Sequence, residues 1–306
     1  MAWEKVVIGA GVVGAVAVLA MLLWPLARHR FIYPGGELSP ERADPALHGL
    51  PAAEQVWLEA EDGVRIHGWW TPAEGPGGRA PAGAVAGGRG TVIYCHGNAE
   101  SLATRAWIAD RLSRMGLQVL LFDYRGYGLS EGRPDEEGLA RDARAAWRHV
   151  VEARGVDPGR VVLMGHSLGS AVATRLALEL GAVDQGDGAR SMAPGRPAAL
   201  VVGSPFPSMP TVFEHHAPWL PARALRWRND RHDAGARLDR ADLPTLVIIG
   251  SLDEVIPPAL SRRVAEPLGE AAVVTVPADH GAVMGHPEAW SALETFLAAV
   301  LEQGVR

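Results

Sequence analysis

Short hydrophobic runs recur along most of the chain, separated by polar and Ala-rich segments. Glu54-Gln55-Val56-Trp57-Leu58-Glu59-Ala60 alternates, and so does Val64-Arg65-Ile66-His67-Gly68-Trp69-Trp70. Glu61-Asp62-Gly63 lies between them, which together is the signal of a β-hairpin. Beyond it the runs are continuous rather than alternating: Thr91 to Cys95, Gln118 to Tyr124, Arg160 to Met164, Ala198 to Val202, Pro244 to Ile249 and Ala271 to Val276. Short apolar runs of this kind predict strands buried on both faces. Helices are predicted over about 102–115 and 135–154, after residue 167, and from about 287 to the end. Strands alternating with helices imply a mostly parallel sheet covered on both faces, with the hairpin adding antiparallel strands at one edge.

One hydrophobic stretch breaks this rhythm. Residues 6–27 carry no charged side chain. As a helix they would extend about 33 Å, enough for a hydrocarbon core. Gly9, Gly11 and Gly14 also fit G-x-G-x-x-G, a dinucleotide-binding fingerprint. A helix serving that role keeps a polar face, whereas residues 14–26 are apolar all round, and no convincing βαβ unit follows. A cleavable signal peptide is the other alternative, but the apolar region is long for one and no clear A-x-A site follows. The stretch therefore predicts a transmembrane helix within an N-terminal anchor, residues 1–30. Glu4 and Lys5 precede it; Arg28, His29 and Arg30 follow, which favours a cytoplasmic C-terminal side. A Pro- and Gly-rich connector, 31–53, comes next, with Phe31, Ile32 and Tyr33 expected at the membrane interface or tucked into the following domain. That domain is expected over 54–306. It contains a Gly/Pro/Ala-rich loop at 73–90 and a polar insertion at 181–197.

Composition removes some classes. The formal charge of the 306-residue chain is −6, with a pI near 6.0, so nothing global argues for nucleic acid. Lys5 is the only lysine, and the Arg-, Ala- and Gly-rich tracts read as a compositional bias. Cys95 is the only cysteine, which excludes an intrachain disulfide and argues against a cysteine-based metal site. Cys95 itself is expected to be inert packing.

Chemistry concentrates at Gly165-His166-Ser167-Leu168-Gly169, a G-x-S-x-G sequence between a predicted strand and a predicted helix. A serine on such a sharp turn projects its Oγ above the sheet, and the flanking glycines remove Cβ atoms that would clash. The helix that follows aims its N–H groups at the same point. Ligands of such sheets sit at the carboxyl ends of the strands. Asp253, after one such strand, is placed to hold an imidazole; Glu254 is the competing acid. His280 directly follows the last strand and is the candidate base. His286 reads as the lead-in to the closing helix, and His215 and His216 fall in a presumed cap. The order Ser167, Asp253, His280 is that of α/β-hydrolases. Backbone N–H groups of Leu168 and of Asn98, in His96-Gly97-Asn98, are the candidate oxyanion donors. His96 is expected to be a structural hydrogen-bonder. No metal or organic cofactor is needed.

Together these motifs resemble the α/β-hydrolase superfamily over about residues 54–303. Adding Phe122-Asp123-Tyr124-Arg125-Gly126-Tyr127-Gly128, the segment Gly250 to Pro257 and Phe31-Ile32-Tyr33-Pro34 makes the chain similar to a narrower branch. That branch comprises small membrane-anchored serine hydrolases, including lysophospholipid lipases and depalmitoylases, often grouped with serine aminopeptidase-like hydrolases. The resemblance implies an α/β-hydrolase fold with a short cap, here 204–242. It also implies cleavage of an ester or thioester, in a lipid or acyl substrate, through an acyl-serine. The loop 73–90 and the insertion 181–197 depart from the pattern and bear on substrate rather than mechanism. Phe206, Met209, Phe213, Trp219, Leu220, Leu225 and Trp227 in the cap would form an acyl slot or simply pack the cap on its domain. Arg223, Arg226 and Arg228 would meet an anionic headgroup or form a solvated face. A peptidase using the same residues, and a catalytically silent hydrolase fold acting as a tethered binding module, are the competing expectations.

Overall fold

The computed structural model describes residues 32–74, 88–184, 195–219, 230–269 and 273–303. The predicted span at residues 6–27 lies outside them. Among the described residues no helix is long and apolar enough to cross a membrane. The strands are β1 Glu54–Glu59, β2 Arg65–Thr71, β3 Gly90–Cys95, β4 Leu117–Phe122, β5 Val161–His166, β6 Ala199–Gly203, β7 Thr245–Gly250 and β8 Val273–Val276. They form one sheet in the order β1-β2-β4-β3-β5-β6-β7-β8. The hairpin β1–β2 is antiparallel and joins antiparallel to β4, and every other pairing is parallel.

The residue patterns explain this placement. Strands β3, β5, β6 and β7 are buried at every position, as continuous apolar runs require. Edge strand β1 buries Val56 and Leu58 and exposes the residues between, so its alternation is that of a one-sided strand. Side chains along a strand point alternately to opposite faces. Ile93 and Cys95 of β3 therefore enter one layer with Leu139 and Ala143 of α2 (Glu136–Arg148) and Val172 and Leu176 of α3 (Leu168–Asp184). Val92 and Tyr94 enter the other, with Ile108 and Leu112 of α1 (Ala106–Arg114) and Trp290, Leu293 and Leu297 of α6 (Pro287–Gln303). Two shorter helices, α4 (Met209–His216) and α5 (Pro258–Ala265), follow β6 and β7.

Some boundaries differ from expectation. The helix expected to reach residue 154 keeps α-geometry only through Arg148, then widens into a π-turn over His149–Ala153 before Gly155 takes a positive φ. Helix α3 continues through Asp184, so the start of the 181–197 insertion is helical; Val183 and Asp184 extend it without a breaker. Periodicity marks a helix face, not the width of its last turn.

The hairpin is fastened to the domain by charge as well as by β2–β4 pairing. Arg125 donates to Asp62 in the hairpin turn, at 2.7 and 3.1 Å, and to Asp142 of α2, at 2.9 and 2.8 Å. Arg144 donates to Glu61 at 2.9 Å and to Glu179 of α3 at 3.0 Å. Burial pushes the Asp142 carboxyl up, to about 6, against the pull of Arg125. An Arg125→Met chain keeps the volume and strands Asp142 without its counter-charge. Urea denaturation at pH 7 is expected to show a loss of about 3 kcal/mol or more, the usual cost of breaking a buried pair from one side.

Candidate active site

The sheet changes direction of growth between β3 and β5: β4 lies on one side of β3, and β5 on the other. The loops leaving these two neighbours diverge and open a crevice at their carboxyl ends. Ser167 stands there, between β5 and α3, at φ +53. Residues other than Gly, Asn and Asp rarely hold that conformation. Its N–H donates to Gly203 O at 2.9 Å and its carbonyl accepts from Ser170 N at 2.9 Å and Ser170 Oγ at 2.6 Å. A Cβ on Gly165 would strike the backbone of Gly169, and one on Gly169 would strike the carbonyls of Cys95 and His96. The two glycines let the elbow close and let α3 rest against the end of β3.

That contact sets the N-terminus of α3 beside the loop 96–100. Leu168 opens the helix, so its N–H is among those the helix cannot pair internally. Within the loop, Gly97 N–H is taken by Glu100 Oε2 at 2.8 Å. The Asn98 side chain is oriented by Tyr127, whose hydroxyl donates to Asn98 Oδ1 at 3.0 Å. Glu100 also pairs with Arg105 and stands 3.3 Å from His166 Nδ1. Burial opposes its ionisation, but the hydrogen bonds from His166 and Arg105 overcome this and hold the carboxyl well below the usual range. His96 is buried; its Nδ1 bonds Gly97 O at 2.8 Å and its carbonyl accepts from Tyr124 Oη at 2.8 Å. Cys95 is fully buried, and burial pushes its thiol up to about 12.

Asp253 follows β7 and His280 follows β8, and the two meet. His280 Nδ1 lies 2.8 Å from Asp253 Oδ2. Oδ2 also accepts from Ser204 Oγ at 2.7 Å, while Oδ1 accepts from the N–H groups of Val255 at 3.0 Å and Ile256 at 2.8 Å. Burial opposes ionisation, yet the hydrogen bonds from His280 and Ser204 leave the carboxyl below its usual range. An ionised carboxylate has no proton to give, so Nδ1 carries the hydrogen and Nε2 is the basic nitrogen of the neutral ring. The His280 ring packs on the His166 ring, centroids 4.7 Å apart, which places it beside the residue preceding Ser167. Glu254 is exposed, as are His215 and His216, and His286 precedes α6 at Pro287.

Ser204 is the residue that sequence reasoning missed. It follows β6 directly at φ +46, and its N–H donates to Ile248 O at 2.9 Å. The available signal was its position at the carboxyl end of a strand, the rule that selected Asp253 and His280. Phe206, Met209 and Val212 from the cap pack with Ala171 of α3 and with Ile256. Trp219 is 73% exposed; Leu220, Leu225, Trp227 and the three cap arginines lie outside the described residues. Among the described residues no group of three or more His, Cys, Asp or Glu side chains could hold a metal ion.

Comparison with known proteins bears on the family and the fold. Residues 87–232 match the family described as serine aminopeptidase, S33. An uncharacterized protein of Mycobacterium tuberculosis is 39% identical over 263 residues, covering 85% of this chain and 83% of its own. The lysophosphatidylserine lipase ABHD12 of Danio rerio is 27% identical over 239 residues, covering 72% of this chain and 59% of its own. Among solved structures, an esterase of Pyrococcus furiosus superposes with a TM-score of 0.60 at 20% identity, over 87% of this chain and 97% of that one.

Ser204 donates to the same carboxylate oxygen that holds His280. A Ser204→Ala chain is expected to react with a fluorophosphonate about tenfold more slowly, the scale of one hydrogen bond to a charged group. Stopped-time labelling of the two proteins, matched for folding by circular dichroism, checks it.

Proposed function

This chain belongs to the α/β-hydrolase superfamily, in its esterase/lipase-like range, and from that premise we propose that it is a serine hydrolase acting on carboxylic esters or thioesters of lipid or acyl substrates. The observation that carries the reading is the Asp253–His280 pair at 2.8 Å, packed through His166 against the elbow that bears Ser167. In the reaction, His280 Nε2 removes the proton as Ser167 Oγ attacks the carbonyl carbon. The negative charge that develops on the carbonyl oxygen is met by the N–H groups of Leu168 and Asn98. Asp253 keeps the imidazole in one tautomer and stabilises its positive charge. The proton passes to the leaving alcohol or thiol, which departs as the acyl-serine forms. Water, deprotonated by His280, then releases the acid and restores Ser167.

The apolar cap residues beside Ala171 and Ile256 favour an acyl chain as the group bound. The lipase named among the relatives acts on lysophosphatidylserine, and a monoacyl amphiphile is the natural extension here. Residues 6–27 would tether the enzyme to the bilayer, with the hydrolase domain on the cytoplasmic side. A peptidase reading has the matched family's description in its favour, and the acyl-enzyme chemistry is the same.

Four outcomes are expected. A fluorophosphonate labels the detergent-solubilised full-length chain, and Ser167→Ala and His280→Ala abolish labelling; an unlabelled, folded wild-type chain would instead favour a silent binding module. Asp253→Asn lowers kcat on p-nitrophenyl esters about a thousandfold or more, by upsetting the tautomer. Given p-nitrophenyl esters and aminoacyl nitroanilides side by side, the protein prefers the esters; the reverse preference would establish the peptidase. Partition of the full-length chain, but not of residues 32–306, into carbonate-washed membranes tests the tether.

A further inference from the structure

The described part of the chain begins at a buried polar junction that catalysis does not use. Ile32 and Tyr33 are buried in the domain rather than displayed at its surface. The Tyr33 hydroxyl donates to Asp230 Oδ1 at 2.9 Å and lies 2.7 Å from His232 Nε2. A phenol has one proton. With that proton directed at Asp230 Oδ1, the imidazole N–H donates to the phenol oxygen. Burial and the Asp230 charge hold the hydroxyl protonated far above its usual range.

Asp230 to His232 open the second described stretch of the cap segment, 230–242, and lead into the 3-10 segment Asp233–Ala241. Asp230 and His232 both have positive φ, +61 and +46, a conformation Asp and His visit more readily than most residues and that neighbouring groups fix here. Two residues do so. Tyr33 grips the side chains, and Glu136 of α2 accepts the N–H groups of Arg231 at 2.8 Å and His232 at 3.0 Å. The Glu136 N–H in turn donates to Asp230 Oδ1 at 3.1 Å. The turn then passes its position on: Arg231 O accepts the N–H of Met209 at 2.7 Å, fixing the first residue of α4. The other end of α4 is pinned by His216 Nε2, 2.8 Å from Val255 O on the acid loop. Between these two attachments Met209 and Val212 pack with Ala171, one turn beyond Ser167, and with Ile256, whose N–H holds Asp253.

We propose that Tyr33 is a positioning residue for the substrate: it sets the turn 230–232, and through Arg231 the N-terminal end of α4, so that the apolar wall beside Ser167 presents a fixed width to the acyl chain. Cap placement is thereby set by the segment that immediately follows the predicted membrane span. The acyl-chain part of this inference rests on the esterase reading; the mechanical part does not.

Tyr33→Phe keeps the ring and deletes both bonds. The first measurement is hydrogen–deuterium exchange on the full-length chain in detergent. Peptides covering 206–216 are expected to exchange about tenfold faster in the variant, while those covering the elbow, 161–172, match wild type. Equal exchange of 206–216 in the two proteins would overturn the inference. The second is a p-nitrophenyl ester series from acetate to dodecanoate. KM for the long esters is expected to rise about tenfold more than KM for acetate, since only the long chains reach the wall. A uniform change in KM, or one confined to kcat, would overturn the substrate role even if exchange accelerates. If Tyr33→Phe does not fold, Glu136→Gln loosens the same turn from α2 and carries both measurements. Should the wild-type chain cleave no ester and take no fluorophosphonate, the esterase reading fails, and the exchange result still decides whether Tyr33 holds the cap.

Discussion

At Gly169 the backbone of α3 lies against the carbonyls of Cys95 and His96, with no room for a Cβ. This close approach links three parts of the molecule that are distant in sequence. It seats the helix on the end of β3, bends the chain sharply enough to force Ser167 to positive φ, and sets the first N–H groups of α3 beside those of the 96–100 loop. The loop has its own supports in Glu100, Arg105 and Tyr127, which use up Gly97 N–H and orient Asn98. A looser packing at this one point would separate Ser167 from the first N–H groups of α3 and from the 96–100 loop.

A second constraint is electrostatic. A carboxylate away from bulk water must have its lone pairs filled or take up a proton. Asp142 and Asp253 are both buried and resolve the problem differently. Asp142 accepts from Arg125 alone, through backbone and side chain, and burial still pushes its carboxyl up. Asp253 accepts four bonds from four residues, each oxygen taking two, and stays below its usual range although burial opposes it. The first arrangement is a structural brace. The second keeps a negative charge dependable at the position where an imidazolium would form.

Much of this was legible in the sequence because it follows from local rules. Continuous Val/Ile/Leu runs gave every strand of the parallel sheet, and the alternating hairpin marked an edge, although only β1 is one-sided and β2 is buried at every position after Arg65. The elbow was legible because its glycines are required by its geometry. Asp253 and His280 could be placed because each follows a strand at its carboxyl end, and the structure sets them 2.8 Å apart. Ser204 obeys the same rule but carries no motif, and a serine in a loop has too many ordinary uses to stand out. The Tyr33 junction was beyond reach for another reason. Its partners are 197 and 199 residues away, and no local pattern encodes a hydrogen bond across that separation. The π-turn after α2 leaves the apolar periodicity almost unchanged, so nothing in the pattern signals it.

The left-handed backbone at Ser167 also bears on how this protein would change if its chemistry were no longer needed. A serine at φ +53 costs about 1–2 kcal/mol that a glycine would not. Replacement by glycine would therefore relieve strain at the same time as it removed the hydroxyl. On the reading proposed above, drift at this position runs downhill in folding free energy, toward a sturdier protein without its nucleophile. A strained serine at such a point is a feature the fold by itself does not require.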